Sequence, residues 1–443
     1  MKKMKRSFLS LLALMLTGGV MFAQSGQIDF TEYDLDNGLH VILHQDQSTP
    51  IVTVSVMYHV GSKNETPDRT GFAHFFEHLM FEGTENIPRG EYSRYVEKAG
   101  GTLNASTSAD RTYYYEILPS NQLEMGLWLE SERMLHAKVD SVGIQTQKNV
   151  VIEEKKQNYD NRPYGTLLQE TMSHAFKKHP YQWITIGDPD HIRAARDEEF
   201  REFYNMFYVP NNATLVIAGD IEIGPTREMV EKYFAGIPKG KKDIRRPDVT
   251  EPPLGGEVRD TVYDNIQVPL LIHAYRTPAM GTDDYYAIEM LNTLLADGES
   301  SRLYNTLVDE KEIALQVNAI PLPYREPSVN IIMAFPNSGN SLEELEEAQI
   351  DVLESVRNEL ISEKEFTKLQ NQIETDIVSS NQKIAQRANK LARYYTYFGN
   401  TDLINSELER YRAVTREDIQ RVAQEYFTKD NRVVLYYLPE NQK

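Results

Sequence analysis

The chain has 443 residues, a formal charge of −19 at pH 7 and no cysteine. This length exceeds that of one ordinary hydrophobic core and predicts two domains of about 200 residues each. The negative charge disfavours nucleic acid and anionic membranes as partners. Because cysteine is absent, disulfides and thiolate ligands are excluded, and any metal must be bound by nitrogen and oxygen atoms.

Residues 1–23 have the pattern of a secretory signal peptide: a basic start, an apolar run at 8–21 and a small residue, Ala23, for cleavage. The apolar run is shorter than the roughly 20 residues of a membrane-spanning helix, and no later stretch is apolar enough to cross a bilayer. We therefore expect a protein that is secreted across the inner membrane into the periplasm, with no integral membrane segment in the mature chain.

After this segment, strand-like and helix-like patterns alternate along the chain. The patterns predict two strands within 28–46, a strand at 52–58, a short helix from Gly71, a helix at 90–99, a hairpin of strands at 102–107 and 111–118, helices at 122–136 and 143–158, and a strand at 213–218. This order predicts an α+β fold, in which helices pack on one face of an antiparallel-rich sheet.

A helix–turn–strand pattern occurs twice, at 196–217 and again 219 positions later at 415–436. Such internal similarity indicates two copies of one domain. Between the copies, residues 236–256 are rich in proline, glycine and charge and show no periodicity. We therefore predict two homologous domains, at 27–235 and at 257–440, joined by a linker at 236–256.

The sequence GFAHFFEHLMFEGT at 71–84 predicts a short helix with Thr70 as its N-cap. On a helix, His74 and His78 lie one turn apart on one face, with Glu77 on the same side. Two such imidazoles can bind one zinc ion, and the carboxylate can take a proton from water, as in the inverzincin motif His-x-x-Glu-His. Histidines also occur as ordinary core residues, but burying two of them with a glutamate is costly without a partner.

The domain that bears this motif should hold the only metal site, since an offset of 219 replaces the motif by Thr293, Ala296 and Asp297 in the second copy. We therefore expect one zinc ion per chain.

A catalytic zinc usually has three protein ligands, so a further His, Asp or Glu is needed. The predicted helix at 143–158 offers two neighbouring glutamates. Glu154 shares a face with Gln147 and Val151, whereas Glu153 lies on a face that reads as solvated. Because charged helix residues are usually solvated, the periodicity leaves it open whether Glu154 is a ligand.

Residues 60–84 closely resemble the pitrilysin family of zinc metallopeptidases, which includes insulin-degrading enzyme, the mitochondrial processing peptidases and shorter bacterial relatives. Further similarity lies at 100–107, 187–189 and 208–220, and together these motifs span most of the chain. The resemblance implies a zinc endopeptidase in which His74, His78 and Glu154 bind the metal and Glu77 is the catalytic base.

The resemblance also implies that two homologous halves close face to face around a chamber, and this chain corresponds to one half. Asn104, Ala105, Ser106 and Thr107 match the family's edge strand, to which an extended peptide substrate adds as a further strand. Family members usually have a glutamate at the position of Gln147, where it supports the metal ligands through a second layer of hydrogen bonds.

Val308 and Leu315 occupy positions at which active complexes carry an arginine and a tyrosine that reach the substrate across the chamber. Neither side chain can donate a hydrogen bond to an oxyanion. We therefore expect a heterodimer with a homologous half-subunit that carries the Arg/Tyr pair. The less favoured arrangement is a homodimer in which Arg302 or Tyr304 has taken over this role.

The alternative to a catalytic subunit is a non-catalytic, peptide-binding or structural subunit of a peptidase complex. Subunits of that kind typically lack the histidines or the glutamate, and all of these residues are present here.

Overall fold

The computed structural model describes residues 27–443, and the predicted signal peptide at 1–23 lies outside the described residues. The strands are β1 (Thr31–Asp34), β2 (His40–Gln45), β3 (Ile51–Tyr58), β4 (Thr102–Thr107), β5 (Thr112–Pro119), β6 (Ala213–Gly219), β7 (Val258–Asp264), β8 (Leu270–Thr277), β9 (Ala314–Leu322), β10 (Ser328–Pro336) and β11 (Arg432–Pro439). Within the described range, no helix combines the length and the apolarity needed to cross a membrane.

The helices that follow or separate these strands are distributed over both halves of the chain. They are α1 (Phe72–Leu79), α2 (Tyr92–Lys98), α3 (Leu123–His136), α4 (Ser141–Lys155), α5 (Leu167–Ala175), α6 (Pro189–Ala194), α7 (Asp197–Phe207), α8 (Ile223–Phe234), α9 (Asp283–Ala296), α10 (Leu342–Asn358), α11 (Glu363–Asn381), α12 (Ile384–Phe398), α13 (Leu403–Ala413) and α14 (Arg416–Tyr426). The helix predicted at 143–158 is α4 followed by a π-helical turn, Lys156–Asp160.

Two mixed sheets organise the chain, with strand orders β1-β2-β6-β3-β5-β4 and β7-β11-β8-β10-β9. Neighbouring strands are antiparallel except for one parallel pair in each sheet, β2 with β6 and β7 with β11. The fold is therefore α+β, as the sequence predicts, and the strands predicted in the first half are all present.

On each sheet the helices of the same half pack on one face, as predicted, and the opposite face is covered by a helix of the other half. One face of the first sheet packs against α1, α3 and α7. Its other face packs against α12 of the second half, in an apolar cluster that contains Met57 and Leu391. In return, α5 of the first half packs on the second sheet, in a cluster that contains Met172 and Ile272. Each sheet has apolar residues on both faces, and the second face is buried by a helix of the other half.

The connection between the two sheets runs from the end of α8 to the start of β7. Residues 238–257 form neither helix nor strand and lead from α8 to β7. A boundary at 236–256 therefore separates the strands of the two sheets. It does not separate the helices that cover them, because α5 and α12 each pack on the sheet of the other half.

Helix α1 is anchored by aromatic side chains on one of its faces. Phe72, Phe75 and Phe76 are buried. Phe72 and Phe75 pack on Phe200 of α7 with ring centroids 4.6 and 4.3 Å apart, and Phe76 stacks on Phe203 at 5.6 Å. Because this face is fixed in the core, the opposite face of α1 is held towards α4.

Candidate metal centre

Three side chains converge between α1 and α4. His74 Nε2 and His78 Nε2 are 3.3 Å apart, and Glu154 Oε2 lies 3.2 Å from the second and 3.7 Å from the first. Zinc bonds of about 2.0–2.1 Å in a tetrahedral arrangement separate neighbouring ligand atoms by about 3.3 Å. The donor spacing therefore fits one zinc ion. Within residues 27–443 this is the one cluster of three such side chains able to hold a metal.

The charge states of these groups suit a cation. Burial, followed by the neighbouring His78, lowers the pKa of His74 to about 4. The hydrogen bond to His78 lowers the pKa of Glu154. Neutral imidazoles and an ionised carboxylate are the forms that bind metals, and a set of two nitrogens and one oxygen suits zinc. In addition, His74 Nδ1 is buried without a hydrogen-bond partner in the described structure.

The N-terminus of α1 is fixed by a residue that the sequence did not point to. The N-cap is Gly71 rather than the predicted Thr70, with a φ of +93° that favours glycine. Gly71 supplies no side-chain cap, and Glu65 takes that role: its carboxylate accepts from Gly71 N at 2.9 Å and from Ala73 N at 2.8 Å. Thr70 instead accepts from Asp188 N at 3.0 Å. The loop before α1 thus sets the position of the helix.

His74, His78 and Glu154 form what we call the donor triangle. Glu77 lies beside this triangle without belonging to it. Its Oε2 accepts a hydrogen bond of 2.5 Å from Thr107 Oγ1, at the end of β4. The second oxygen, Oε1, is left for other partners. Glu77 thus contacts the edge strand β4 from the position directly before His78.

Strand β4 is the edge of the first sheet and pairs with β5 alone. Ser108 N donates to Arg111 O at 2.9 Å, so Ser108 and Arg111 form a hydrogen-bonded pair. This pair determines which of the following residue pairs in the hairpin are hydrogen-bonded. In the alternating antiparallel pattern, the backbone N–H and C=O groups of Leu103, Ala105 and Thr107 then point away from β5. These groups are available to an added strand.

The two other residues that the sequence assigned to substrate binding have different positions. The backbones of Asn104 and Ser106 face β5. The Ser106 carbonyl and hydroxyl accept from Arg111 at 2.5 and 2.7 Å. The Asn104 side chain accepts from Ala105 N at 2.9 Å, so this amide is satisfied within the strand until another acceptor replaces it.

Gln147, expected to support the metal ligands, bonds elsewhere. Its Nε2 donates to Glu82 Oε1 at 2.6 Å, and Glu82 Oε2 accepts from Arg89 at 2.9 Å. Among the described residues, no hydrogen bond joins Gln147 to the donor triangle, and its Oε1 is buried without a partner. Neither Glu65 nor Glu82 could be linked to the site by spacing, because both contacts depend on the tertiary fold.

The insulinase (peptidase family M16) profile matches residues 40–189, and the profile of the peptidase M16 inactive domain matches residues 196–373. The zinc protease PqqE of Helicobacter pylori is 30% identical over 434 residues, which cover 97% of this chain and 98% of that protein. The crystal structure of a protease from Helicobacter pylori matches at 28% identity with a TM-score of 0.89, covering 93% of this chain and 100% of that one.

The periplasmic protease PqqL of Escherichia coli shares the fold, with a TM-score of 0.76 at 18% identity. The match covers 94% of this chain and 48% of PqqL.

The two-sheet α+β fold and an inverted His-x-x-Glu-His helix facing a glutamate together define the inverzincin class of metal-dependent proteins. The chain belongs to the insulinase family of peptidases, peptidase family M16. This finding confirms the resemblance seen in the sequence. Relatives named as zinc proteases support a peptidase with zinc as its metal.

Proposed function

We propose that the protein is a secreted, periplasmic zinc endopeptidase that hydrolyses peptides or small unfolded segments, with one zinc ion held by His74, His78 and Glu154. The observation that carries this proposal is the donor triangle of 3.2–3.7 Å next to Glu77, which itself contacts the edge strand. A non-catalytic subunit would have no need of this combination.

Glu77 is the general base. Bound zinc supplies a Lewis acid for the scissile carbonyl and for the attacking water. The Glu77 carboxylate accepts the proton of that water and delivers it to the leaving amine. Its Oε2 is held by Thr107, so Oε1 is the atom free to carry the proton. The Thr107 hydroxyl thus orients the carboxylate along β4.

The substrate lies along β4 as an additional strand. The outward backbone groups of Leu103, Ala105 and Thr107 bind the peptide backbone, and Asn104 releases the amide of Ala105 when the peptide arrives. Because backbone groups make these bonds, the recognition places little demand on sequence. An extended segment is needed, which favours peptides and unfolded chains over folded proteins.

A homologous half-subunit completes the active site. Leu315 is 55% exposed and Val308 packs against the second core, and neither can donate a hydrogen bond. Arg302, one of the two substitutes considered for a homodimer, is bonded to Glu365 at 3.0 and 3.2 Å and to Ser355 at 3.1 Å. Its guanidinium is therefore engaged within the chain. This engagement supports a heterodimer whose partner supplies the Arg/Tyr pair.

The test separates metal binding from chemistry. Glu77→Gln should keep about one zinc per chain and lose peptide hydrolysis by about 100-fold or more. Glu154→Ala and His78→Ala should lose the zinc itself. The matched control is Glu153→Ala, since this glutamate is 57% exposed and lies on the other side of the helix; it should keep both zinc and activity.

Atomic emission on the purified variants and a panel of quenched peptides give the two measurements. Zinc lost from Glu77→Gln but kept by Glu154→Ala would refute the assignment of roles. Full turnover by this chain alone, unchanged when a homologous half-subunit with the Arg/Tyr pair is added, would refute the heterodimer.

A further inference from the structure

The tips of two equivalent hairpins meet in the structure. The β4–β5 turn at 108–111 belongs to the first sheet, and the β9–β10 turn at 323–327 occupies the same place in the second. Lys63, in the segment that leads to α1, lies between them. The contact thus joins the two halves next to the edge strand β4.

The contact consists of Lys63, Asp110, Tyr181, Arg325 and Glu326, which we call the clasp. Asp110 Oδ1 accepts from Lys63 Nζ at 2.6 Å and from the Tyr181 hydroxyl at 2.7 Å, and its Oδ2 accepts from Arg325 N at 3.1 Å. Lys63 Nζ also lies 3.0 Å from Glu326 Oε1. One ammonium therefore neutralises a carboxylate from each hairpin tip.

The central pair of the clasp is removed from solvent. Lys63 is 2% exposed and Asp110 is 1% exposed. A buried charge that loses its partner keeps its full desolvation cost, so the tip of the β4–β5 hairpin must move when the lysine is replaced. Both oxygens of Asp110 are bonded, which fixes the direction of the tip as well as its distance.

Lys63 is also connected to both sides of the proposed active site through the backbone. Its N–H donates to Ala109 O at 3.0 Å, and the N–H of Ser62 donates to Ser108 O at 3.2 Å. Two residues further on, Glu65 caps α1. On the other side, the hairpin tip continues directly into Thr107, which contacts Glu77. The same short segment therefore sets α1 and β4 relative to one another.

We propose that Lys63 is a positioning residue for the substrate strand: by neutralising Asp110 and Glu326 together, it fixes β4 against the second half and so governs peptide binding without contributing to metal binding. The proposal rests on the function proposed above, in which the peptide adds to β4. The second half then contributes to the site by holding β4 in place, although it supplies no metal ligand.

The variants are Lys63→Met, which removes the charge at similar length, and Lys63→Arg, which keeps the charge. Lys232→Met is the matched control, because Lys232 makes an equally short ion pair of 2.7 Å with Glu124 at the surface, where its side chain is 61% exposed. Peptide affinity is measured in the zinc-loaded, non-cleaving Glu77→Gln background with a fluorescein-labelled random-sequence peptide library. KM and kcat are measured in the parent, and hydrogen exchange is followed across β4 and β5.

We expect Lys63→Met to raise Kd and KM about 10-fold with kcat changed by less than about 2-fold, the signature of lost binding. Zinc content stays the same, and exchange accelerates in the β4–β5 hairpin. Lys63→Arg restores most of the affinity, and Lys232→Met changes nothing. Unchanged Kd and exchange in Lys63→Met would overturn the proposal, as would loss of zinc together with peptide binding.

If Lys63→Met does not fold, Glu326→Gln decides the question, because it keeps the buried Lys63–Asp110 pair and removes the charge on the second hairpin that Lys63 and His179 contact. It should raise Kd about 3-fold, a change of the size expected for one hydrogen bond, and unchanged affinity and exchange would overturn the proposal. A parent that neither binds nor cleaves any peptide refutes the proposed function instead. The clasp is then decided by exchange alone: acceleration confined to β4–β5 supports it, and no acceleration refutes it.

Discussion

The edge strands of the two halves can be compared residue by residue. In the first sheet, Val56 of β3 pairs with Tyr114, and Tyr114 pairs with Ala105 of β4. The residue 219 positions after Val56 is Tyr275 of β8. Tyr275 pairs with Asn330, and Asn330 pairs with Pro321 of β9, so Pro321 is the equivalent of Ala105. Where the first sheet has an outward-facing amide, the second therefore has a proline without an N–H. Proline at an edge strand prevents the addition of another chain. The second edge is protected at a position where the first is open.

The same comparison in the core finds an ionisable side chain in the first half where the second half has an aliphatic one. Val54 pairs with Glu116, and 219 positions on, His273 pairs with Ile332. Ile332 is fully buried in an apolar cluster. Glu116 is just as buried, but it lies with Glu130 and a single cation, Arg133. The sheet thus accommodates either arrangement.

The metal helix shows the third difference. At an offset of 219, His74, His78 and Glu154 correspond to Thr293, Asp297 and Ile373. The Thr293 hydroxyl bonds the backbone of its own helix, Asp297 accepts from Gln372, and Ile373 is buried. One strand order thus occurs with and without these polar groups. We infer that in the first half they serve the site, because the fold does not require them.

The largest effect is expected at the buried charges. The Arg133 guanidinium lies 3.3 Å from Glu116 and 3.6 Å from Glu130, and all three side chains are fully buried. Burial, followed by the Glu130 charge, raises the pKa of Glu116 well above its usual range. Arg133→Met leaves the buried Glu116–Glu130 pair without a cation and should lower the free energy of unfolding by about 3–5 kcal/mol. Urea denaturation at pH 7 measures this.

The companion variant replaces the whole charged cluster, with isoleucine at Glu116 as in the second half. Glu116→Ile/Glu130→Leu/Arg133→Met replaces all three ionisable side chains and should recover stability to within about 2 kcal/mol of the parent, since apolar replacement of a whole buried cluster is often neutral. If the triple variant is no more stable than Arg133→Met alone, the first half requires these ionisable groups for its stability. The inference that its sheet accommodates either arrangement is then refuted.

The second prediction exchanges Glu154, the proposed metal ligand on α4. Glu154→Ile introduces the residue found 219 positions later and should weaken zinc binding by at least about 100-fold, more than the loss of an outer-shell partner typically costs. The fold should be retained, because the side chain is partly exposed at 28%. Ile373→Glu is the reciprocal control and should gain no zinc. Competition against a graded chelator measures both, and zinc uptake by Ile373→Glu would contradict the inference.

The sequence predicted the local part of this site and left the long-range part open. His74, Glu77 and His78 follow from helical spacing alone. Glu154 did not, because periodicity cannot distinguish a solvated carboxylate from one that meets a helix 76 residues earlier; the resemblance to a family placed it. The strands were predicted because alternation is local, whereas the exchange of α5 and α12 between the halves and the Glu65 cap depend on tertiary contacts.

The third prediction adds a charge to the first half. Gln147 is 9% exposed and donates to Glu82 at 2.6 Å. Gln147→Glu removes the donor and places two carboxylates in contact, which should cost about 1–2 kcal/mol at pH 7. The pair's pKa rises above that of the unfolded chain, so the lost stability returns as the pH falls and one carboxyl takes up a proton.

The exchange variant Glu82→Gln/Gln147→Glu restores one donor and one acceptor and should recover most of the stability. Urea denaturation at pH 5 and pH 7 measures the stability of Gln147→Glu, of the exchange variant and of the parent. A loss in Gln147→Glu that does not depend on pH would contradict the electrostatic explanation.

The fourth prediction closes the open edge. Ala105→Pro imports the proline of the second edge, and its missing N–H points away from β5, so no bond of the sheet is lost. Peptide affinity in the zinc-loaded Glu77→Gln background should fall about 10-fold, at the upper end of the effect of one hydrogen bond. Pro321→Ala, the reciprocal change, should leave affinity unaltered. Equal binding by Ala105→Pro and the parent would show that the peptide does not add to β4.

The smallest effect concerns the contact between the two hairpin tips. Burial raises the pKa of Glu326, but the hydrogen bond to His179 and the charge of Lys63 outweigh burial and lower this pKa to about 2. A depressed pKa gives stability that is present above the unfolded value of about 4.3 and is lost as the pH falls towards 2. Because the Glu326 side chain is 32% exposed, we expect no more than about 1 kcal/mol. Urea denaturation between pH 2 and pH 7 should therefore show a shallower acid loss in Glu326→Gln than in the parent, while the exposed Glu343→Gln follows the parent. Parallel curves for Glu326→Gln and the parent would show that the two halves are joined without this charge.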